Sequence, residues 1–390
     1  MVKAGIDIVL QQAPEWKQQR IGLVTNDAAF TCQALSSRKA LLDNGFNLVK
    51  IFSPEHGLSA TGADGVFMPD QRDPLTRLPV VSLYGEKLAP AATDLADLDV
   101  LLFDVPDAGT RFYTYLWTLS YCLESCASTQ KPLIVLDRPN PISGLLSLAG
   151  GPFLDEIRSS SFIGRWSIPI RHSCTLGELA LYFNQEKKIG CHLQVICCEG
   201  WERHQFYPDT NWAFIPPSPA LQQFESLLLY PGTCLLEATN LHEGRGTDRA
   251  FALVGAPWLN TTLLRERLNL CGVVGLHYEE YQFFSTTVRY PGQLCNALSF
   301  SVRDPKVFDA VLFGFLLIKC LKDLFSSFAW DVYPTIVNPT GQGHLDRLTG
   351  VANSQRWFDL SIDAFIAQLR NRCATSATWS EKTASVLLYN

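Results

Sequence analysis

The feature that most constrains this chain is an alternation in its first half: short, nearly unbroken Val/Ile/Leu runs separated by stretches with helical spacing. Arg20–Asn26, Asn47–Phe52, Pro79–Tyr84, Asp99–Val105, Pro132–Asp137 and Leu193–Cys198 read as strands. Runs without a polar face indicate strands covered on both sides, as in a parallel sheet flanked by helices. Helical spacing is clearest at Ala34–Asn44, at Tyr113–Ala127 and after Thr175. There Thr175 and Glu178 form a capping box ahead of the apolar Leu176, Leu179, Ala180 and Phe183. The expected fold class is α/β, with a doubly wound, mainly parallel sheet.

A second unit follows. Trp212–Ala220 carries Pro216, Pro217 and Pro219, which remove backbone donors and forbid regular structure, so it reads as a connector. Beyond it the pattern is mixed α+β: Ala297–Val302 alternates like a half-exposed strand, Asp304-Pro305 opens an apolar helix to about Leu324, and Phe358–Arg372 is amphipathic. With 390 residues, two domains are expected, 1–228 and 229–390.

Composition excludes several functions. Net charge is -6 and the 32 basic residues are scattered, so nucleic acid is not an expected partner. The apolar run Val311–Ile318 is too short to cross a bilayer and the N-terminus lacks a signal-peptide pattern. A cytoplasmic location without membrane partners is the expectation. The 12 cysteines include no Cys-x-x-Cys and read as small buried thiols in a reducing compartment. Oligomeric state is not legible.

In a parallel sheet, ligands bind outside the carboxyl ends of the strands. Those ends carry Asn26; Glu55 and His56; Tyr84 and Glu86; Asp104 and Asp107; and Asp137, Arg138 and Asn140. Any one of them taken alone is more often a cap or a turn former. Asp107–Tyr115 adds Arg111, Tyr113 and Tyr115, and a buried arginine needs a carboxylate or a ligand. A glycine-containing loop in the second half brings Glu237, Asn240, His242, Glu243 and Arg245 together. After the first strand stands Thr25–Ala29 rather than a glycine fingerprint, and no Gly-x-Ser-x-Gly occurs. Glu55, His56, Asp104 and Asp107 would make an oxygen-rich metal site, but no paired-histidine spacing supports one. No cofactor and no metal are expected.

Ser53–Gly57, Asp107–Tyr115, Asp137–Pro141, Pro216–Pro219, Pro231–Cys234 and Glu243–Thr247 together resemble the NamZ family of bacterial exo-β-N-acetylmuramidases, in family order and over nearly the whole chain. The resemblance implies a Rossmann-like first domain, a smaller α+β second domain and an active site in the cleft between them. It also implies release of terminal N-acetylmuramic acid from the non-reducing end of peptidoglycan fragments. The substrate is then a small molecule, a muropeptide or a disaccharide of N-acetylmuramic acid and N-acetylglucosamine. Glu55 carries over as catalytic, with His56 beside it. The chain departs from the family's common Asp-x-Gln-Asp by having Pro106 in Asp104–Asp107.

Glycoside hydrolysis usually needs an acid and a second group, for which Glu243, Asp107 and Glu237 are candidates; the substrate's acetamido group is a further one. The lactyl carboxylate of the sugar calls for an arginine: Arg111, Arg138, Arg171 or Arg245, with Arg111 and Arg245 favoured by their glycine-containing turns. Tyr113, Tyr115, His172, Asn140, Glu237 and Asn240 are expected to shape the sugar site. Two alternatives stand beside this reading: a non-catalytic muropeptide-binding protein, and a metal-dependent hydrolase of another small substrate.

Overall fold

The computed structural model of the chain describes every residue except Asp64 and Met68. The first half builds a seven-stranded sheet from β1 (Ile21–Thr25), β2 (Leu48–Ser53), β3 (Gln71–Arg72), β4 (Pro79–Ser82), β5 (Val100–Asp104), β6 (Leu133–Leu136) and β7 (Leu193–Ile196). Its order is β3-β4-β2-β1-β5-β6-β7, parallel throughout except for the antiparallel edge strand β3. Each expected strand of this sheet is found with its ends within two residues of the expectation, β2 running one residue further to Ser53; β3, two exposed residues, has no sequence signal.

The apolar runs are buried on both faces, as their lack of alternation implied. Ile21, Leu23, Val100, Leu102, Ile134 and Leu136 pack under α1 (Gly5–Gln11) and α2 (Ser37–Asp43). Val24, Leu101, Phe103, Leu133 and Val135 face α3 (Ala92–Leu95), α4 (Tyr115–Thr129) and α5 (Leu176–Glu186). The capping box at α5 forms: Thr175 Oγ1 accepts from Glu178 N at 3.2 Å and Glu178 Oε2 accepts from Thr175 N at 3.0 Å. Register sets Thr25 opposite Asp104 and Ser53 opposite Ser82, so the polar residues that follow leave the sheet along one edge.

The second half comprises α6 (Phe224–Thr233), β8 (Leu253–Ala256), α7 (Thr261–Leu270), β9 (Leu276–Phe284), β10 (Leu294–Val302), α8 (Ala310–Leu324), α9 (His344–Thr349), α10 (Ile362–Cys373) and α11 (Ser376–Thr383). Its antiparallel sheet runs β8-β10-β9. Helix α8 starts later than Asp304-Pro305 suggested. Asp309 is the N-cap, accepting from Leu312 N at 2.9 Å, whereas the Asp304 side chain accepts from Lys306 N at 3.0 Å and closes a separate turn. The expected Phe358–Arg372 helix divides into a 3₁₀ turn, Ser354–Asp359, and α10 capped by Ser361.

Helices α6 and α8 cross with backbone against backbone. A Cβ on Gly232 would lie 1.9 Å from Ala310 O, and one on Gly314 would lie 2.3 Å from Gly232 O. Only glycine permits that approach, and it sets the direction of the turn Cys234–Ala238 that follows α6. The expected boundary at residue 228 falls inside α6, and the chain's last segment returns to the first half. Trp379 Nε1 donates to His172 O at 2.7 Å, and the Tyr389 hydroxyl donates to Asp137 Oδ2 at 2.6 Å. One apolar cluster runs from the second face of the large sheet through α6 and α8. Among the described residues, no helix is long and apolar enough to cross a membrane.

Candidate active site

β2 ends at Ser53, and a turn through Pro54 sets Glu55 at the carboxyl edge of the sheet. His56 and Gly57 both take left-handed backbone, with φ of 67° and 71°. For histidine that conformation is costly and persists only where the surroundings enforce it, often at functional sites. Here His56 Nδ1–H donates to Gly62 O at 2.9 Å and Gly62 N–H donates to His56 O at 3.0 Å. Glu55 is 7% exposed. Its Oε1 accepts from Gly65 N–H at 3.0 Å and its Oε2 accepts from the Thr114 hydroxyl at 2.7 Å. A hydroxyl donates or accepts, so the Thr114 contact survives ionisation or protonation of Glu55. That suits a group that gives and regains a proton.

Glu55 lines a cleft of about 610 Å³ including its open mouth. Glu237, Arg245 and His344 reach it from the second half, between walls supplied by Tyr84, Tyr113, Phe162, Tyr230 and Tyr333. The two halves are tied together here, because Ile336 N–H donates to Gly65 O at 3.0 Å. Glu237 accepts from Arg245 at 2.8 Å through Oε1 and from His344 Nε2 at 2.9 Å through Oε2. Burial pushes its pKa up, but Arg245 and His344 outweigh that and hold it at about 2. Arg245 also bonds Glu243 Oε1 at 2.9 Å and lies over the Phe251 ring at 4.6 Å. The Tyr113 hydroxyl is buried beside Tyr115 and Ser218 without hydrogen-bond alignment to either. Burial drives its pKa well up, leaving a neutral donor on the cleft wall.

The cleft therefore gathers Glu55, His56, Tyr84, Tyr113, Glu237 and Arg245 of the residues read from sequence. Glu243 does not line it and is held by Arg245. Asp107 and Arg138 face a separate crevice of about 460 Å³. Asp107 Oδ2 accepts from Gly109 N at 3.1 Å and lies 3.2 Å from His172 Nε2, without hydrogen-bond alignment.

Several expected substrate contacts are structural instead: these side chains bond groups of the chain itself, although Arg111 Nε, Arg171 Nε and His172 Nε2 are buried without a hydrogen-bond partner. Arg111 is fully buried and donates to Pro152 O at 2.7 Å, Ile168 O at 2.8 Å and Leu348 O at 2.8 Å. Burial without a carboxylate brings its pKa down to about 9, and it clamps three segments rather than facing the cleft. Arg138 Nε donates to Asp104 Oδ1 at 2.6 Å. Arg171 donates to Ile142 O, and burial lowers its pKa to about 10. The Tyr115 hydroxyl donates to Pro217 O at 2.8 Å. Asn140 bonds Cys174 O and Ile142 N, Asn240 bonds Ser327 O and Ala329 N, and His172 Nδ1 accepts from Cys174 N. The oxygen-rich set considered for a metal is not assembled: Asp104 is tied to Arg138 and Asp107 faces the other crevice. Among the described residues, no three His, Cys, Asp or Glu side chains gather for a metal.

Thr114, Ser218, Tyr333 and His344 are site residues that sequence reasoning missed. Thr114 and Ser218 lie inside Asp107–Tyr115 and Pro216–Pro219, so motif membership is a usable signal for both. Tyr333 and His344 have no such signal, since the fold alone brings His344 to Glu237 and Tyr333 onto the His344 ring.

Comparison with known proteins identifies the family. The family described as exo-β-N-acetylmuramidase NamZ, N-terminal, matches residues 21–225, and its C-terminal counterpart matches residues 228–389. The peptidoglycan β-N-acetylmuramidase NamZ of Bacillus subtilis (strain 168) is 38% identical over 354 residues, covering 90% of this chain and 82% of that protein. Crystal structures of two DUF1343 family proteins from Bacteroides fragilis superpose with TM-scores of 0.88 and 0.77, each at 26% identity over 100% of this chain and 99% of the other. The two matched halves meet between residues 225 and 228, inside α6, the helix that leads into the Glu237 turn of the cleft. The chain belongs to the NamZ family of exo-β-N-acetylmuramidases.

Proposed function

We propose that the protein is an exo-β-N-acetylmuramidase that releases terminal N-acetylmuramic acid from the non-reducing end of peptidoglycan fragments. One observation carries the chemistry: Glu55 and Glu237 line one cleft with opposite kinds of partner. Glu55 contacts neutral donors, a hydroxyl and a backbone N–H, and acts as the acid on the leaving oxygen. Glu237 is fixed as an anion by Arg245 and His344, and stabilises the positive charge that develops at the anomeric centre. Of the four arginines considered for the lactyl carboxylate, Arg245 lines the cleft, so it is assigned that contact. Tyr113 supplies a neutral hydroxyl to the sugar.

The larger sheet is read as Rossmann-like and doubly wound. With β1, β2, β4, β5, β6 and β7 counted as one to six, the order is 3-2-1-4-5-6, and helices cover both faces. The meeting of the two family matches between 225 and 228 supports a division close to residue 228, with α6 shared.

The test is hydrolysis of a chromogenic N-acetylmuramide and of the natural disaccharide. Glu55→Gln should lose about 10²–10⁴ in kcat on the disaccharide, the usual worth of a positioned acid. Wild-type-like turnover by this variant would remove Glu55 from the mechanism.

A further inference from the structure

His344 opens α9 on the wall of the cleft that holds Glu55, and it is 6% exposed. Its Nε2 lies 2.9 Å from Glu237 Oε2. Glu237 is ionised and can only accept, so Nε2–H is the donor to it and Nδ1 is the ring nitrogen left to take up a proton. Nδ1 has no hydrogen-bond partner among the described residues. The ring is held in place by stacking on Tyr333, centroids 4.7 Å apart at 22°. Both oxygens of Glu237 already accept a hydrogen bond, one from Arg245 and one from His344. Glu243 and Asp107 do not line the cleft.

We propose that Glu237 and His344 form a carboxylate–imidazole dyad in which Nδ1 of His344 is the general base for the water that attacks the anomeric carbon. The inference rests on the hydrolase reading above. In the step, the water gives one proton to Nδ1 while its oxygen bonds the anomeric carbon. The glycosidic C–O bond breaks with its electron pair on the leaving oxygen, which takes the proton of Glu55. Solvent then carries one proton from the His344 imidazolium to Glu55, and one water has been consumed. Glu237 keeps the imidazole in the correct tautomer and stabilises its cation, the division of labour of a carboxylate–histidine pair.

The experiment compares His344→Gln and Glu55→Gln on two substrates, the natural disaccharide and an N-acetylmuramide with a good phenolate leaving group. Glutamine keeps a donor toward Glu237 but has no basic nitrogen, and thermal unfolding checks that the variant is folded. His344→Ala with added imidazole is the second variant. Loss of a general base should lower kcat about 10²-fold or more on both substrates with KM within about threefold. Loss of the acid in Glu55→Gln should be much smaller on the phenolate. Imidazole should restore turnover to His344→Ala and not to Glu55→Gln. Wild-type turnover with kcat in folded His344→Gln within about threefold, or a loss confined to KM, overturns the dyad alone. No wild-type turnover on either substrate overturns the hydrolase reading, and the dyad with it.

Discussion

The cleft around Glu237 and the end of β6 around Asp137 each bury a carboxylate, and the two behave in opposite ways. Glu237 is 5% exposed and Asp137 1% exposed, so burial raises the proton affinity of both. At Glu237, Arg245 and His344 outweigh burial and bring the pKa to about 2. At Asp137, burial wins and the pKa stands at about 6, although three neutral donors oppose it. These are the Tyr389 hydroxyl at 2.6 Å, the Thr175 hydroxyl at 2.7 Å and Gly177 N–H at 2.8 Å. Depth alone does not set the charge of a carboxylate; its partners do, and Glu237 bonds a guanidinium where Asp137 bonds two hydroxyls and a backbone N–H. The cleft is given a permanent anion, and the sheet end a group that titrates.

The contrast breaks most severely if the cation is removed. Arg245→Met leaves Glu237 and Glu243 without their guanidinium, and removing one partner of a buried pair costs about 3–5 kcal/mol. Urea unfolding should show that loss, together with reduced kcat; unchanged stability would mean that His344 alone holds Glu237.

The pH dependence sharpens the same comparison, because the two signs are opposite. Glu237 has a folded pKa of about 2, below its unfolded value near 4.3. Its contribution is therefore present above about pH 4 and lost as pH falls toward 2. Asp137 has a folded pKa of about 6, above its unfolded value near 3.9. Its contribution is full below about pH 4 and lost as pH rises through 6. Each is worth up to about 3 kcal/mol across its window, at about 1.4 kcal/mol per unit. Stability measured against pH should flatten between about pH 2 and 4 in Glu237→Gln, and between about pH 4 and 6 in Asp137→Asn. Slopes equal to wild type in both variants would refute the contrast.

The smallest effect belongs to the structural side. Tyr389→Phe deletes two hydrogen bonds, the one donated to Asp137 and the one accepted from Cys198 N–H, and should cost about 2 kcal/mol in unfolding free energy. It should leave kcat unchanged, since Tyr389 joins the chain's end to β6, away from the cleft. A fall in kcat would show that the terminal segment also shapes the site.

Much of the first half was legible because its signals are local. An unbroken apolar run dictates a strand covered on both faces, and the residues after it mark the carboxyl edge where Glu55 stands. The Thr175–Glu178 box spans a single turn and formed as read. Asp304-Pro305 misled for a related reason. Cap and first-turn chemistry also suits an isolated turn, and Asp309 offered the cap that packing selected.

Arginines show where local reading ends. Arg111 and Arg245 both sit in glycine-containing turns and drew the same assignment. Arg111 meets carbonyls 41, 57 and 237 residues away, whereas Arg245 meets two carboxylates at the cleft wall. His344 reaches Glu237 across 107 residues of chain. The sequence by itself determined the sheet, its carboxyl edge and the presence of Glu55 there, since apolar periodicity and turn chemistry act over a few residues. Tertiary structure alone decided which polar side chains face the cleft and which bond the chain itself. A buried donor takes whatever acceptor the fold brings to it, and that acceptor comes from segments distant in sequence.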